Sequence, residues 1–189
     1  MIGKRAKILS NEQVEELLCF VSTTRHPIRN RVLVLLSLKA GLRAGEIAKL
    51  TWPMVLGPQT EISLVIELRD HAAKKNAGRL IPMHPALRDA LGRWRDATHA
   101  IGPVVRSERG RPMAPVSIVN WFSAAYRHLG FAGCSSHSGR RTFITRAARL
   151  RIVRVDPCAM FNCWPGIGRS KQPSDTSTAI PTPSASSSR

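Results

Sequence analysis

The apolar period of this chain changes in the middle and changes back, and that pattern limits its architecture more than any other feature. From Ser10 to Leu50 the apolar residues recur at helical spacing. Ser10 and Gln13 form a capping-box pattern ahead of Val14, Leu17, Leu18 and Val21, which predicts a helix starting near Asn11. Pro27 is placed to open a second helix with Val32, Leu33, Leu35, Leu36 and Leu38 mostly buried, and Gly41 to stop it. A short helix follows, with Ile47 and Leu50 facing inward. Then Ile62, Leu64, Ile66 and Leu68 alternate with Ser63, Val65, Glu67 and Arg69, the period of a strand. A basic, glycine-containing turn, K-K-N-A-G, leads to a second short strand, R-L-I-P-M. The pair reads as a β-hairpin with Lys74 and Lys75 near its tip. Helical spacing returns at Pro85, through Leu87, Leu91 and Trp94. It recurs over residues 116–129, with Val119, Phe122, Tyr126 and Leu129 on one stripe, and over 138–150. Gly130 and Gly133 separate these last two helices, and residues 103–115 read as loop with room for a short strand at Val104 and Val105. The expected fold is mainly α with a small antiparallel β-sheet.

Composition shifts after Leu150. Residues 170–189 are rich in Ser, Thr and Pro with almost no large apolar groups, the signature of disorder. The expected organisation is one domain over residues 1–150 and a tail over 151–189. The formal net charge is +17, and only five of the 29 Lys and Arg residues lie beyond residue 150. A globular domain this basic points to a polyanion partner, because each phosphate neutralised releases condensed counterions. Cys19, Cys134, Cys158 and Cys163 form no C-x-x-C pair and have no histidines at ligand spacing, so no zinc site is expected. The first residues, MIGKRAKILSNEQ, lack the apolar run of a signal peptide, and no segment is apolar enough to span a membrane. The cytoplasm is the expected location.

Three segments carry the chemistry: A-G-L-R-A-G-E-I-A-K-L-T-W at 40–52, K-K-N-A-G-R-L-I-P-M at 74–83 and H-S-G-R-R-T-F at 137–143. A guanidinium is permanently charged and offers a planar fork of donors, so two arginines are suited to clamp one phosphodiester. Fixed cations on the non-bridging oxygens lower the barrier to phosphoryl transfer. Arg43 follows Gly41 at a helix junction, and Arg140 lies three residues after His137, on the same helical face. A lysine near a hairpin tip is able to protonate a leaving oxygen.

In this order, across roughly residues 8–150, the three segments resemble the catalytic domain of the tyrosine recombinases, the phage-integrase family. The resemblance implies an integrase-type catalytic core that cuts and rejoins DNA at specific sites. It makes Arg43 and Arg140 the two arginines on the scissile phosphate and His137 the histidine of the H-x-x-R motif, assisting proton transfer. Lys74 matches the hairpin lysine that protonates the leaving 5′ hydroxyl, with Lys75 as its rival. Lys75, Arg79 and Arg141 are expected to contact DNA, while Glu46 is expected to pair locally. The implied partners are double-stranded DNA and other recombinase protomers, with no small-molecule substrate, metal or cofactor.

The chain departs from the family after its H-x-x-R. A complete member continues with a G-H block and, about nine residues later, the nucleophilic tyrosine; here the single tyrosine, Tyr126, lies upstream on an apolar stripe. The genetic code suggests a cause. Read one base out of frame, Met160 to Pro165 forces V-Q-L-L-A if the frame is open. The following codons permit G-H and then T-T-x-R-Y, with the tyrosine nine places after the histidine. A one-base deletion near codon 150 is therefore expected, leaving the tail out of frame and the chain inactive. No separate N-terminal DNA-binding domain is expected either. The rival reading is a non-catalytic DNA-binding protein, because residues 31–50 also resemble a helix-turn-helix around Gly41. Only a recombinase requires Arg43, Lys74, His137 and Arg140 to converge.

Overall fold

From Val32 to Leu38 every residue of the second helix is buried, and the rest of the molecule is arranged to make that so. A helix with no polar face must be surrounded. In the computed structural model, which describes residues 6–152, helix α2 (Pro27–Lys39) packs against α1 (Asn11–Ser22), α3 (Ala44–Lys49), α4 (Pro85–Thr98) and α6 (Ser138–Ile152). Each fully buried leucine contributes roughly 1.5–3 kcal/mol relative to exposure, so α2 is the main anchor of the core. Helix α5 (Pro115–His128) packs on α3. Strands β1 (Val65–Leu68) and β2 (Arg79–Pro82) form a two-stranded antiparallel sheet, with Val65 opposite Pro82 and Leu68 opposite Arg79. The fold is mainly helical with a small antiparallel sheet, as the change of period predicts. Helix α6 runs through Arg151 and Ile152, the first two residues of the expected tail, and the rest of the tail, 153–189, lies outside the described residues.

Local signals place the helix ends. Ser10 Oγ accepts from the Gln13 amide at 3.2 Å, and Gln13 Oε1 accepts from the Ser10 amide at 3.1 Å, so α1 begins at its predicted capping box. Proline opens α2, α4 and α5, where a missing N–H costs nothing.

Three details differ from the sequence reading. Ile66 and Leu68 are buried, but Leu64 is 56% exposed. The chain bends at Leu64, so the alternation from Ile62 does not run through one strand; Ile62 is buried through its own bridge to Leu56. On α5 the inward stripe is Ile118, Phe122, Ala125 and Tyr126, with Val119 only half-buried. Val104 and Val105 are fully buried but form no named strand; they are tied by the Val104 amide to Leu50 O and the Met113 amide to Val105 O.

Helix α6 reaches α2 through small residues. A Cβ on Gly139 would collide with the Ser37 hydroxyl, and a Cβ on Gly41 would collide with the Phe143 ring. The leading segment is tied to α6 as well. Arg141 donates to Ala6 O at 3.0 Å, and the Leu9 amide donates to the buried Thr142 hydroxyl at 2.9 Å.

Candidate active site

The chain leaves α2 through Gly41, whose φ of +63° is the left-handed region that favours glycine. Arg43 then sits at the N-cap of α3 in extended conformation, and Glu46 is the third helical residue. The Glu46 carboxylate turns back to the helix start. It accepts from the Arg43 amide at 3.0 Å and from Arg43 Nη1 at 3.1 Å. From β2, Arg79 reaches the same carboxylate with two parallel bonds, Nη1 to Oε1 at 3.2 Å and Nη2 to Oε2 at 3.0 Å. Glu46 is buried, its side chain 2% exposed, whereas Arg43 and Arg79 are about a third exposed, at 37% and 35%.

Arg140 joins this group from α6. Its guanidinium donates to the carbonyl of Gly41, the residue that turns the chain toward Arg43. Burial and the neighbouring charge of Arg43 lower its pKa, with Glu46 opposing and Arg79 reinforcing. Two guanidiniums therefore pair with one carboxylate and a third stands on the adjoining Gly41 carbonyl, a surplus of two positive charges. A site so built favours an anion that offers several acceptor oxygens.

Burial alone would raise the Glu46 pKa. The bonds from Arg79 and the Arg43 amide, with the charges of both arginines, outweigh it and hold the group at about 2 instead of 4.5. The folded pKa is depressed, so the stabilisation is complete above the ordinary value and is lost as pH falls from 4.5 through about 2. The melting temperature followed by circular dichroism is expected to fall over that window. Glu46→Gln should flatten the fall; an equally steep fall in the variant would assign it to other carboxylates.

Among the described residues no hydrogen bond or ion pair links the remaining predicted site residues to this cluster. Lys74 and Lys75 are exposed on a 3-10 turn in the β1–β2 connection, which the Gly78 amide closes on Asp70 Oδ1 at 2.7 Å. His137 is exposed just before α6, and its carbonyl accepts from the Arg141 amide at 2.9 Å. Arg141 is half-buried, with one nitrogen on Ala6 O. Among the described residues no group of three or more His, Cys, Asp or Glu could hold a metal ion.

Tyr126 belongs to the core. It is 1% exposed and stacks between Phe122 and Phe131, with ring centroids 5.8 and 6.1 Å away. Burial, and secondarily Cys134, push its phenol well above the ordinary range. A side chain so enclosed has no access to a DNA phosphate. The helix-turn-helix reading also lacks its recognition surface: α3 has six residues, of which Lys49 alone is exposed.

The sequence points to local pairing of Glu46 without naming Arg43 as its partner, and gives no sign of its bond to Arg79, 33 residues away. The available signal was a glutamate at the third position of a helix whose other inward residues are apolar, since a buried carboxylate needs more than one cation.

The phage integrase family model matches residues 7–152. No curated protein matches the chain. Solved structures with the same fold include XerA recombinase, 20% identical with a TM-score of 0.63, covering 76% of this chain and 51% of that one. The Tn1549 transposon integrase in complex with circular intermediate DNA is 20% identical with a TM-score of 0.60, covering 82% of this chain and 55% of that one. Lambda integrase bound to DNA is 14% identical with a TM-score of 0.61, covering 76% and 51%. The chain thus spans about half the length of the solved structures it matches.

Proposed function

Because the chain belongs to the phage integrase family, we propose that its residues 1–150 are the catalytic core of a tyrosine-type site-specific DNA recombinase. In this reading Arg43 and Arg140 hold the non-bridging oxygens of the scissile phosphate. His137 assists proton transfer, and Lys74 or Lys75 protonates the leaving 5′ hydroxyl. The donors of Arg141 not used on Ala6 O face a neighbouring backbone phosphate. The partners are double-stranded DNA and further recombinase protomers. The observation that carries this reading is the convergence of Arg43, at the start of α3, and Arg79, from β2, on the buried Glu46, with Arg140 of α6 bound to Gly41 O two residues before Arg43. A surface charged only for solubility has no reason to bring three guanidiniums from distant segments to one half-buried point.

The reaction needs a tyrosine to attack the phosphodiester, giving a 3′-phosphotyrosine and a free 5′ hydroxyl. The one tyrosine in the sequence is Tyr126, which is enclosed in the core. Losing a covalent nucleophile removes the route itself and not merely some stabilisation of the transition state. The chain is therefore expected to bind duplex DNA without cleaving it. Binding should weaken steeply with salt, and Arg43→Gln or Arg140→Gln should each reduce the slope of log K against log salt by about one unit. A nicked duplex that traps covalent intermediates, run on a denaturing gel, tests the rest. No adduct is expected. An adduct abolished by Tyr126→Phe would overturn the assignment of Tyr126 to the core, and unchanged salt slopes in both arginine variants would overturn the phosphate clamp.

A further inference from the structure

We infer that Arg79 is a positioning residue, which occupies the second face of the Glu46 carboxylate and so leaves Arg140 available to a phosphodiester. The inference rests on the proposed roles of Arg43 and Arg140. A carboxylate offers about four acceptor positions. Glu46 uses its positions on Arg43 Nη1 and Arg79 Nη1 at Oε1, and on the Arg43 amide and Arg79 Nη2 at Oε2. Arg140 donates to Gly41 O, two residues before Arg43, and makes no hydrogen bond to the carboxylate. The acceptor positions of Glu46 are already taken.

Removing Arg79 empties two positions on a carboxylate that is 2% exposed. A buried charge left short of donors is strongly unfavourable, so it recruits the next donor in reach. Arg140, held on the carbonyl of Gly41 two residues before Arg43, is the donor so recruited. The surplus at the site then falls from two positive charges to one, and the guanidinium that should meet the phosphate is neutralised. Arg79 therefore acts through Glu46, without touching DNA. It also fastens β2, and with it the turn bearing Lys74 and Lys75, to the start of α3.

A double-mutant cycle tests this, with affinity for a short fluorescent duplex read by anisotropy. Arg79→Gln is expected to weaken binding by about tenfold, the scale of one lost charge-assisted bond. Adding Glu46→Gln should restore most of that loss, because no carboxylate remains to capture Arg140. In the wild-type background Glu46→Gln is expected to cost affinity of its own through Arg43, so the result is read from the coupling: Glu46→Gln should gain affinity, relative to its own background, only where Arg79 is absent. Equal gains from Glu46→Gln in both backgrounds would overturn the inference and make Arg79 a direct phosphate contact. Arg140→Gln separates the two levels: if it leaves affinity unchanged, the phosphate-clamp reading itself fails. Should Glu46→Gln not fold, the Arg140 side-chain Nε–H resonance in Arg79→Gln gives the answer. It is expected to shift as Arg140 pairs with Glu46, and an unmoved resonance overturns the inference.

Discussion

Glu46→Ala is expected to destabilise the domain by about 3 kcal/mol, near the lower end of what breaking a buried ion pair costs. The loss has two parts. Arg43 and Arg79 lose the anion that holds them half-buried, and Arg140 then adds a third uncompensated charge. The Arg43 amide at the α3 N-cap also loses its acceptor. The estimate stays at the low end because both arginines are about a third exposed and keep water on one side. Against a typical stability of about 5–15 kcal/mol this is a large fraction. Arg43→Gln should cost far less, about 1 kcal/mol, since Glu46 keeps both bonds from Arg79. Urea denaturation of the two variants measures the contrast. A Glu46→Ala midpoint close to wild type would mean that the cluster contributes nothing net to folding. Sulfate should stabilise Glu46→Ala more than it stabilises the wild type, because an oxyanion then supplies the missing charge.

The fold was legible where a residue's local pattern alone determines its structure. Ser10 and Gln13 mark the start of α1 because both halves of the cap lie within four residues. The apolar run of α2, broken only by Ser37, marks a buried helix because it leaves almost no face to show water. The hairpin was legible from Ile66 and Leu68, but Leu64 escaped because a bend at that residue changes which side is inward without changing the apolar pattern. The site was legible in its parts and not in its assembly. Gly41, Arg43 and Glu46 belong to one short segment, so their mutual geometry follows from the helix start. That Arg79 completes Glu46 depends on β2 lying beside α3, a tertiary fact with no local signature. For the same reason Arg79 read as a DNA contact, when its guanidinium fork is directed at a carboxylate.

Gly41→Val is expected to disturb fold and site together, and the size of its effect tests how closely they are joined. A β-branched residue at a φ of +63° is strained before any neighbour is considered. The added Cβ would also meet the Phe143 ring, so α6 would have to withdraw from α2. Together these terms place the variant in the exceptional range, about 4–5 kcal/mol. Gly45→Ala is the matched control. Gly45 lies in α3 with open space around it, so alanine there should stabilise by about 0.5–1 kcal/mol through helix propensity. The functional consequence follows from the same geometry. Arg140 is three residues from Phe143 on α6 and donates to Gly41 O, so a displaced α6 carries Arg140 away from Arg43 and Glu46. Gly41→Ala gives the intermediate case, with the strain and a smaller collision. If Gly41→Ala keeps most of the stability yet loses DNA affinity to the extent that Arg140→Gln does, the glycine sets the approach of α6 as well as the turn. If affinity falls only in proportion to the unfolded fraction, the turn serves folding alone.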